Sequence, residues 1–191
     1  MADRVTAHLM TEADLARTLD RMARQIAEVI AARPDDASHP PLALIGLQVR
    51  GVPIAQRIAA RVKALEDLDV PVGILDTTMY RDDVRMRSRS LTVRRTDIPF
   101  DITGRHLVLC DDVLYTGRSA RAALDALLDM GRPASVRFLC VVDRGLRELP
   151  VAPDFVGMEV PTLTGQEVRV RLSDVDEREG VWLVDVTPDD Q

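Results

Sequence analysis

Lysine is almost absent from this chain: among 25 basic residues, Lys63 is the single lysine. Arginine therefore carries nearly all the positive charge. It is the side chain suited to forked contacts with phosphate, although a simple compositional bias would give the same count. Cysteine is equally scarce. Cys110 and Cys140 each end an apolar run, which predicts buried thiols rather than a disulfide. No cluster of Cys and His has metal-ligand spacing, which argues against zinc. The three histidines, His8, His39 and His106, lie outside the loops singled out below, so no Ser-His-Asp set is legible. No apolar run approaches the roughly 18 residues needed to span a bilayer. The first residues, Met1 to Val5, lack the apolar core of a secretory signal. Both the Gly-Lys-Ser/Thr phosphate loop and the Gly-x-Gly-x-x-Gly turn are missing.

What is present fits one soluble globular domain, residues 1–191, expected in the cytoplasm and away from membranes. Hydrophobic residues make up 46% and charged residues 29%, with mean hydropathy −0.04. The net charge of −6 argues against a general nucleic-acid coat, yet leaves room for a local basic surface.

Helical spacing of Leu15, Leu19, Met22, Ile26, Val29 and Ile30 predicts a helix over 12–33 with Thr11 as N-cap. Strand and helix then alternate: a strand over 42–47, a helix over 52–65, a strand over 72–79, a strand over 106–110, a helix over 118–130 and a strand over 136–142. Short strands follow near 168–172 and 181–186. This alternation predicts an α/β fold with a parallel sheet, helices on both faces and a small C-terminal β region. Right-handed crossovers place the loops after the strands along one edge, where ligands of open sheets bind. Residues 81–103 have no helical period and are long for a connector, which marks a lid or a solvated arm.

One of these strand-to-helix junctions carries chemistry. Its apolar strand reaches Asp111 and Asp112, continues through Val113, Leu114 and Tyr115 to Thr116 and Gly117, and gives way to a helix near Arg118 and Ser119. A helix N-terminus offers unpaired N–H groups and a positive dipole end. Gly117 lets the backbone approach an anion, and the hydroxyls of Thr116 and Ser119 add donors. The acidic pair lies about one ribose length away. Its carboxylates can accept bonds from vicinal hydroxyls or hold Mg²⁺. Asp-Asp or Thr-Gly alone would be an ordinary capped turn; together on one junction they suit a phosphorylated ribose.

This run resembles the motif of type I phosphoribosyltransferases that binds 5-phosphoribosyl-1-pyrophosphate (PRPP). Residues 111–118, 130–133, 142–150 and 78–83 are more closely similar to the PyrR family, regulators of pyrimidine operons that are also uracil phosphoribosyltransferases. The resemblance implies the type I phosphoribosyltransferase fold with a flexible hood over 81–103. It implies that Asp111 and Asp112 hold the ribose hydroxyls, with Mg²⁺ nearby, and that 116–119 hold the 5′-phosphate. Arg50 and Gly51 would form the pyrophosphate loop, with Arg50 among the catalytic groups. Asp143 and Arg144 would flank the base, and Arg81, Arg85 and Arg87 would belong to the hood. The implied partners are PRPP, uracil, UMP and a pyr leader RNA, with the chain in a homo-oligomer, dimer or tetramer. Arg17, Arg21 and Arg24 share a helix face and form a candidate RNA-phosphate stripe, although an ordinary solvated face reads the same. The chain departs from the family pattern at Gln48 and Val49, where Lys-Thr is expected, and at Leu146, where His is. A phosphoribosyltransferase for another base, without an RNA role, is the alternative.

Overall fold

The computed structural model describes residues 4–31, 41–81 and 94–186. Its elements run β1 (Arg4–Met10), α1 (Glu12–Ala31), β2 (Leu42–Leu47), α2 (Gly51–Glu66) and β3 (Val72–Leu75). A 3₁₀ turn at Thr78–Tyr80 leads on to β4 (His106–Leu114), α3 (Arg118–Met130), β5 (Ser135–Asp143), β6 (Phe155–Glu159), β7 (Gln166–Arg171) and β8 (Gly180–Asp185). Five strands form a parallel sheet in the order β3-β2-β4-β5-β6, and β1-β8-β7 form a separate antiparallel sheet.

Every residue of β2 is buried, as a central parallel strand covered on both faces requires. Alternate side chains of the sheet separate into two cores. Leu44, Val108, Cys110, Leu139 and Val141 pack with the stripe Leu15, Leu19, Met22 and Ile26 of α1 and with Ile54 and Ile58 of α2. Ala43, Ile45, Leu107, Leu109 and Phe138 pack with Ala123, Ala126 and Leu127 of α3. The helices thus lie on both faces. The small sheet joins the first core through Val168, Val170, Leu172 and Val181. Both cysteines are buried free thiols, and burial raises the pKa of each.

Three expectations are corrected. The strand expected over 72–79 stops at Leu75, because the Asp76 carboxylate accepts bonds from Thr78 N (2.9 Å) and Thr78 Oγ1 (2.5 Å) and turns the chain. The strand expected to stop at Cys110 runs on to Leu114, so the acidic pair lies within β4 rather than after it. Its ladder with β5 continues through Asp111–Cys140 and Val113–Val142. The helix expected over 12–33 is present from Glu12 to Ala31, and Ala32 and Arg33 lie outside the described residues. Finally, β1 and β6 were not expected, so the small sheet is closed by the N-terminal strand as well as the C-terminal ones.

Candidate functional site

The carboxyl end of the parallel sheet holds a cavity of about 450 Å³, within the range of small-molecule sites. Its walls come from Asp111, from Val113 through the loop to Ser119, from Arg144 and Glu148 after β5, from Glu167 on β7, and from Arg81. The junction singled out in the sequence therefore forms the greater part of one wall.

At the mouth of α3, Gly117 adopts φ +90°, and a Cβ there would meet the Val151 side chain at 3.3 Å. Glycine suits both the left-handed backbone and the close packing. The helix has no side-chain cap and no acidic residue in its first turn. Its first i→i−4 bond is Arg121 N to Gly117 O (2.9 Å), so the N–H groups of Ser119 and Ala120 precede the ladder. Thr116 Oγ1 lies 3.4 Å from Arg118 N.

Asp111 and Asp112 are half-buried. Each Oδ1 accepts the N–H of the next residue, at 2.9 Å for Asp112 N and 2.8 Å for Val113 N. Burial, and then the neighbouring Asp112 charge, pushes the Asp111 carboxyl well above the ordinary carboxylate value. A cation or a set of hydroxyl donors would relieve that pair. Among the described residues no group of three or more His, Cys, Asp or Glu could hold a metal ion. Two carboxylates nevertheless fit the way Mg²⁺ is held, by one or two side chains with water and substrate phosphates.

The segment after β5 is stitched to this loop. Arg144 N donates to Leu114 O (3.0 Å), Glu148 N and Leu149 N donate to Thr116 O (3.0 Å each), and Arg147 donates to Tyr115 O (2.8 Å). Asp143 pairs with Arg147 and accepts Gly145 N at 2.9 Å. Arg144, only 5% exposed, donates to Thr162 Oγ1 (3.0 Å) and to the Gln166 carbonyl, and its guanidinium lies 3.9 Å from the Tyr115 ring centroid. Its direct partners are neutral, and desolvation draws its pKa below the usual arginine value. Arg118 reaches back to Glu148 at 2.6 Å.

The 48–51 turn lies beside the acidic pair. A Cβ on Gly51 would stand 2.2 Å from Cys110 O, so only glycine lets α2 begin against β4. The Gln48–Val49 peptide is cis. Arg50 is the N-cap of α2, which likewise has no side-chain cap and no acid in its first turn. Its guanidinium is bound by Asp176 in the β7–β8 turn.

Arg81 lines the cavity, whereas Arg85 and Arg87 lie outside the described residues. On α1, Arg17, Arg21 and Arg24 are exposed. Arg17 pairs with Asp14, and Arg21 donates to the carbonyls of Val156 (3.1 Å) and Gly157; the intervening Asp20 pairs with Arg61 at 2.6 Å. Glu148, Glu167 and Asp176 were not singled out in the sequence. Glu148 stood in a recognised segment, but Glu167 and Asp176 reach the site only through tertiary packing and carry no local signal.

A family model described as phosphoribosyl transferase domain matches residues 16–174. The bifunctional protein PyrR of Roseiflexus sp. (strain RS-1) is 50% identical over 175 residues, 91% of this chain and 92% of that protein. That of Thermus aquaticus is 47% identical over 180 residues, 94% and 96% of the two chains. Among solved structures, a hypoxanthine phosphoribosyltransferase from Trypanosoma cruzi has a TM-score of 0.72 at 19% identity, covering 96% of each chain, a likeness of fold alone. On sequence, fold and the junction at β4 and α3 together, the chain belongs to the phosphoribosyltransferase family, in its PyrR branch.

Proposed function

We propose that this protein transfers phosphoribosyl from PRPP to uracil, giving UMP and pyrophosphate, and regulates pyrimidine biosynthesis genes through UMP-dependent binding of a pyr leader RNA. The observation that carries the enzymatic half is one cavity in which the open N-terminus of α3, Asp111 of the acidic pair and the buried Arg144 converge. Similarity to bifunctional PyrR proteins over more than nine-tenths of the chain supports the regulatory half.

In this reading the N–H groups and hydroxyls of 116–119 hold the 5′-phosphate, and Asp111 and Asp112 hold the ribose hydroxyls and orient the ring. The bond from C1′ to the pyrophosphate oxygen breaks with its electron pair on the leaving group, and C1′ gains oxocarbenium character. Uracil N1 then bonds to C1′, and its proton passes to solvent or to the released pyrophosphate. The N–H groups at the start of α2 face the growing negative charge of the leaving group. One lost donor of this kind costs on the order of 3 kcal/mol, roughly a hundredfold in rate. Asp111 and Asp112 would hold Mg²⁺, which supplies charge neutralisation on the pyrophosphate. Arg144 and Tyr115 form the wall on the β5 side, where the base would lie.

The test is a screen of free bases with PRPP and Mg²⁺ on the purified protein. Uracil is expected to turn over; turnover of a purine with uracil inert would overturn the acceptor. For the second activity, affinity for leader RNA should rise with UMP and fall steeply with salt. Affinity indifferent to UMP would remove it.

A further inference from the structure

The carboxylate of Asp176 accepts four hydrogen bonds from three residues. Arg50 Nε donates to Oδ2 (2.9 Å) and an Arg50 Nη to Oδ1 (2.8 Å), a forked pair. Arg171 Nη1 reaches Oδ1 at 2.9 Å and Leu172 N reaches Oδ2 at 2.9 Å. The Asp176 side chain is 6% exposed and that of Arg50 31%. The forked guanidinium holds the Asp176 carboxyl well below the usual carboxylate range. Two helical turns along α2, Arg57 grips the other end of the same β7–β8 turn through Glu179 (2.6 Å) and Asp174. The small antiparallel sheet is thereby clamped to α2 at residues 50 and 57.

The two clamps differ in what they hold. Arg57 lies inside α2, where the helix ladder already fixes the backbone. Arg50 is the N-cap, the last residue before the ladder, and belongs to the 48–51 turn that abuts Cys110 O and the acidic pair. We infer that Asp176 is a positioning residue for phosphoribosyl transfer: by fixing Arg50 it holds the 48–51 turn and the first N–H groups of α2 where the pyrophosphate end of PRPP is received. This rests on the PRPP reading above. The next carboxylate whose field reaches Arg50 is Asp112, in the ribose-binding pair. Without Asp176, Arg50 is released from its fork and the 48–51 turn loses its anchor.

Asp176→Asn keeps the shape and removes the charge. Its KM for PRPP and its inhibition constant for pyrophosphate should rise on the order of tenfold, whereas the dissociation constant of UMP, which has no pyrophosphate, should stay within about twofold. Glu179→Gln loosens the other clamp and should lower Tm while leaving the PRPP KM in place. In an Arg50→Met background, Asp176→Asn should add nothing further to the PRPP KM. If Asp176→Asn folds poorly, Asp176→Glu serves, with pyrophosphate affinity as the readout. An unchanged pyrophosphate affinity in the Asp176 variants, or an equal rise in PRPP KM in Glu179→Gln, overturns the assignment, because either outcome leaves only a general role in the turn. Wild-type protein that binds neither PRPP nor UMP would instead bring down the underlying reading, and this proposal with it.

Discussion

At the start of α1, Thr11 and Asp14 close on each other. Asp14 N donates to Thr11 Oγ1 (3.2 Å) and Thr11 N donates back to Asp14 Oδ2 (3.0 Å), with Glu12 adding a second acid to the first turn. At the starts of α2 and α3 no side chain caps the helix and no acid occupies the first turn. A helix end left this way forgoes about 1 kcal/mol of cap stabilisation. The two helices that forgo it are the ones whose N-termini stand at the carboxyl end of the sheet beside Asp111 and Asp112. The helix that satisfies itself is the one whose N-terminus the proposed chemistry does not use. Negative charge at a helix start is supplied either by the chain or by a ligand, and this protein divides its helices between the two.

The largest effect should come from removing the acidic pair that is proposed to hold the ribose beside the open α3 terminus. Asp111→Asn with Asp112→Asn should lower kcat/KM for uracil by on the order of a hundredfold or more while circular dichroism stays native. Near-normal turnover would detach the acidic pair from the open helix end. Next in size is a change that makes α3 resemble α1. Ser119→Asp places a carboxylate in its first turn, which favours the helix by about 0.3–1 kcal/mol and competes with a bound phosphate. A rise in PRPP KM of tens-fold, with Tm equal or higher, is the expected result; calorimetry and initial rates read it directly. A lower Tm with unchanged KM would show that the terminus is open for no ligand.

The junction was legible in the sequence because everything it needs is local: apolar strand, acidic pair, Thr-Gly and apolar helix follow one another within one turn. Its strand boundary was misplaced because Asp111 and Asp112 each turn a carboxylate oxygen onto the next N–H, which lets β4 carry acids while its ladder with β5 continues. The strand β1 gave no signal. It is exposed along most of its length and pairs with β8, at the far end of the chain. Asp176 was invisible for the same reason: an acid in a turn acquires meaning only when Arg50, 126 positions away, folds onto it.

A smaller effect separates the function of the acidic pair from its cost. The Asp111 carboxyl resists ionisation in the fold, so above its ordinary value of 3.8 the unfolded chain ionises first and stability falls as pH rises, until the folded group also ionises. Asp111→Asn does not titrate. The variant should therefore gain Tm over the wild type, little at pH 4 and more at pH 8, while losing activity. A gain independent of pH would assign the difference to packing.

The smallest change acts on the closed terminus. Thr11→Ala removes the hydroxyl that accepts Asp14 N and donates to Asp14 Oδ2 (2.6 Å). Such a cap is worth about 1 kcal/mol, so thermal unfolding should begin roughly 2–4 °C lower in a chain of this size. The KM for PRPP and kcat should not move, because no residue of α1 lines the cavity at β4 and α3. A PRPP KM that shifts with Thr11→Ala would mean that the self-capped helix and the open ones are energetically coupled. The division of labour among the three N-termini would then have to be replaced by a single connected site.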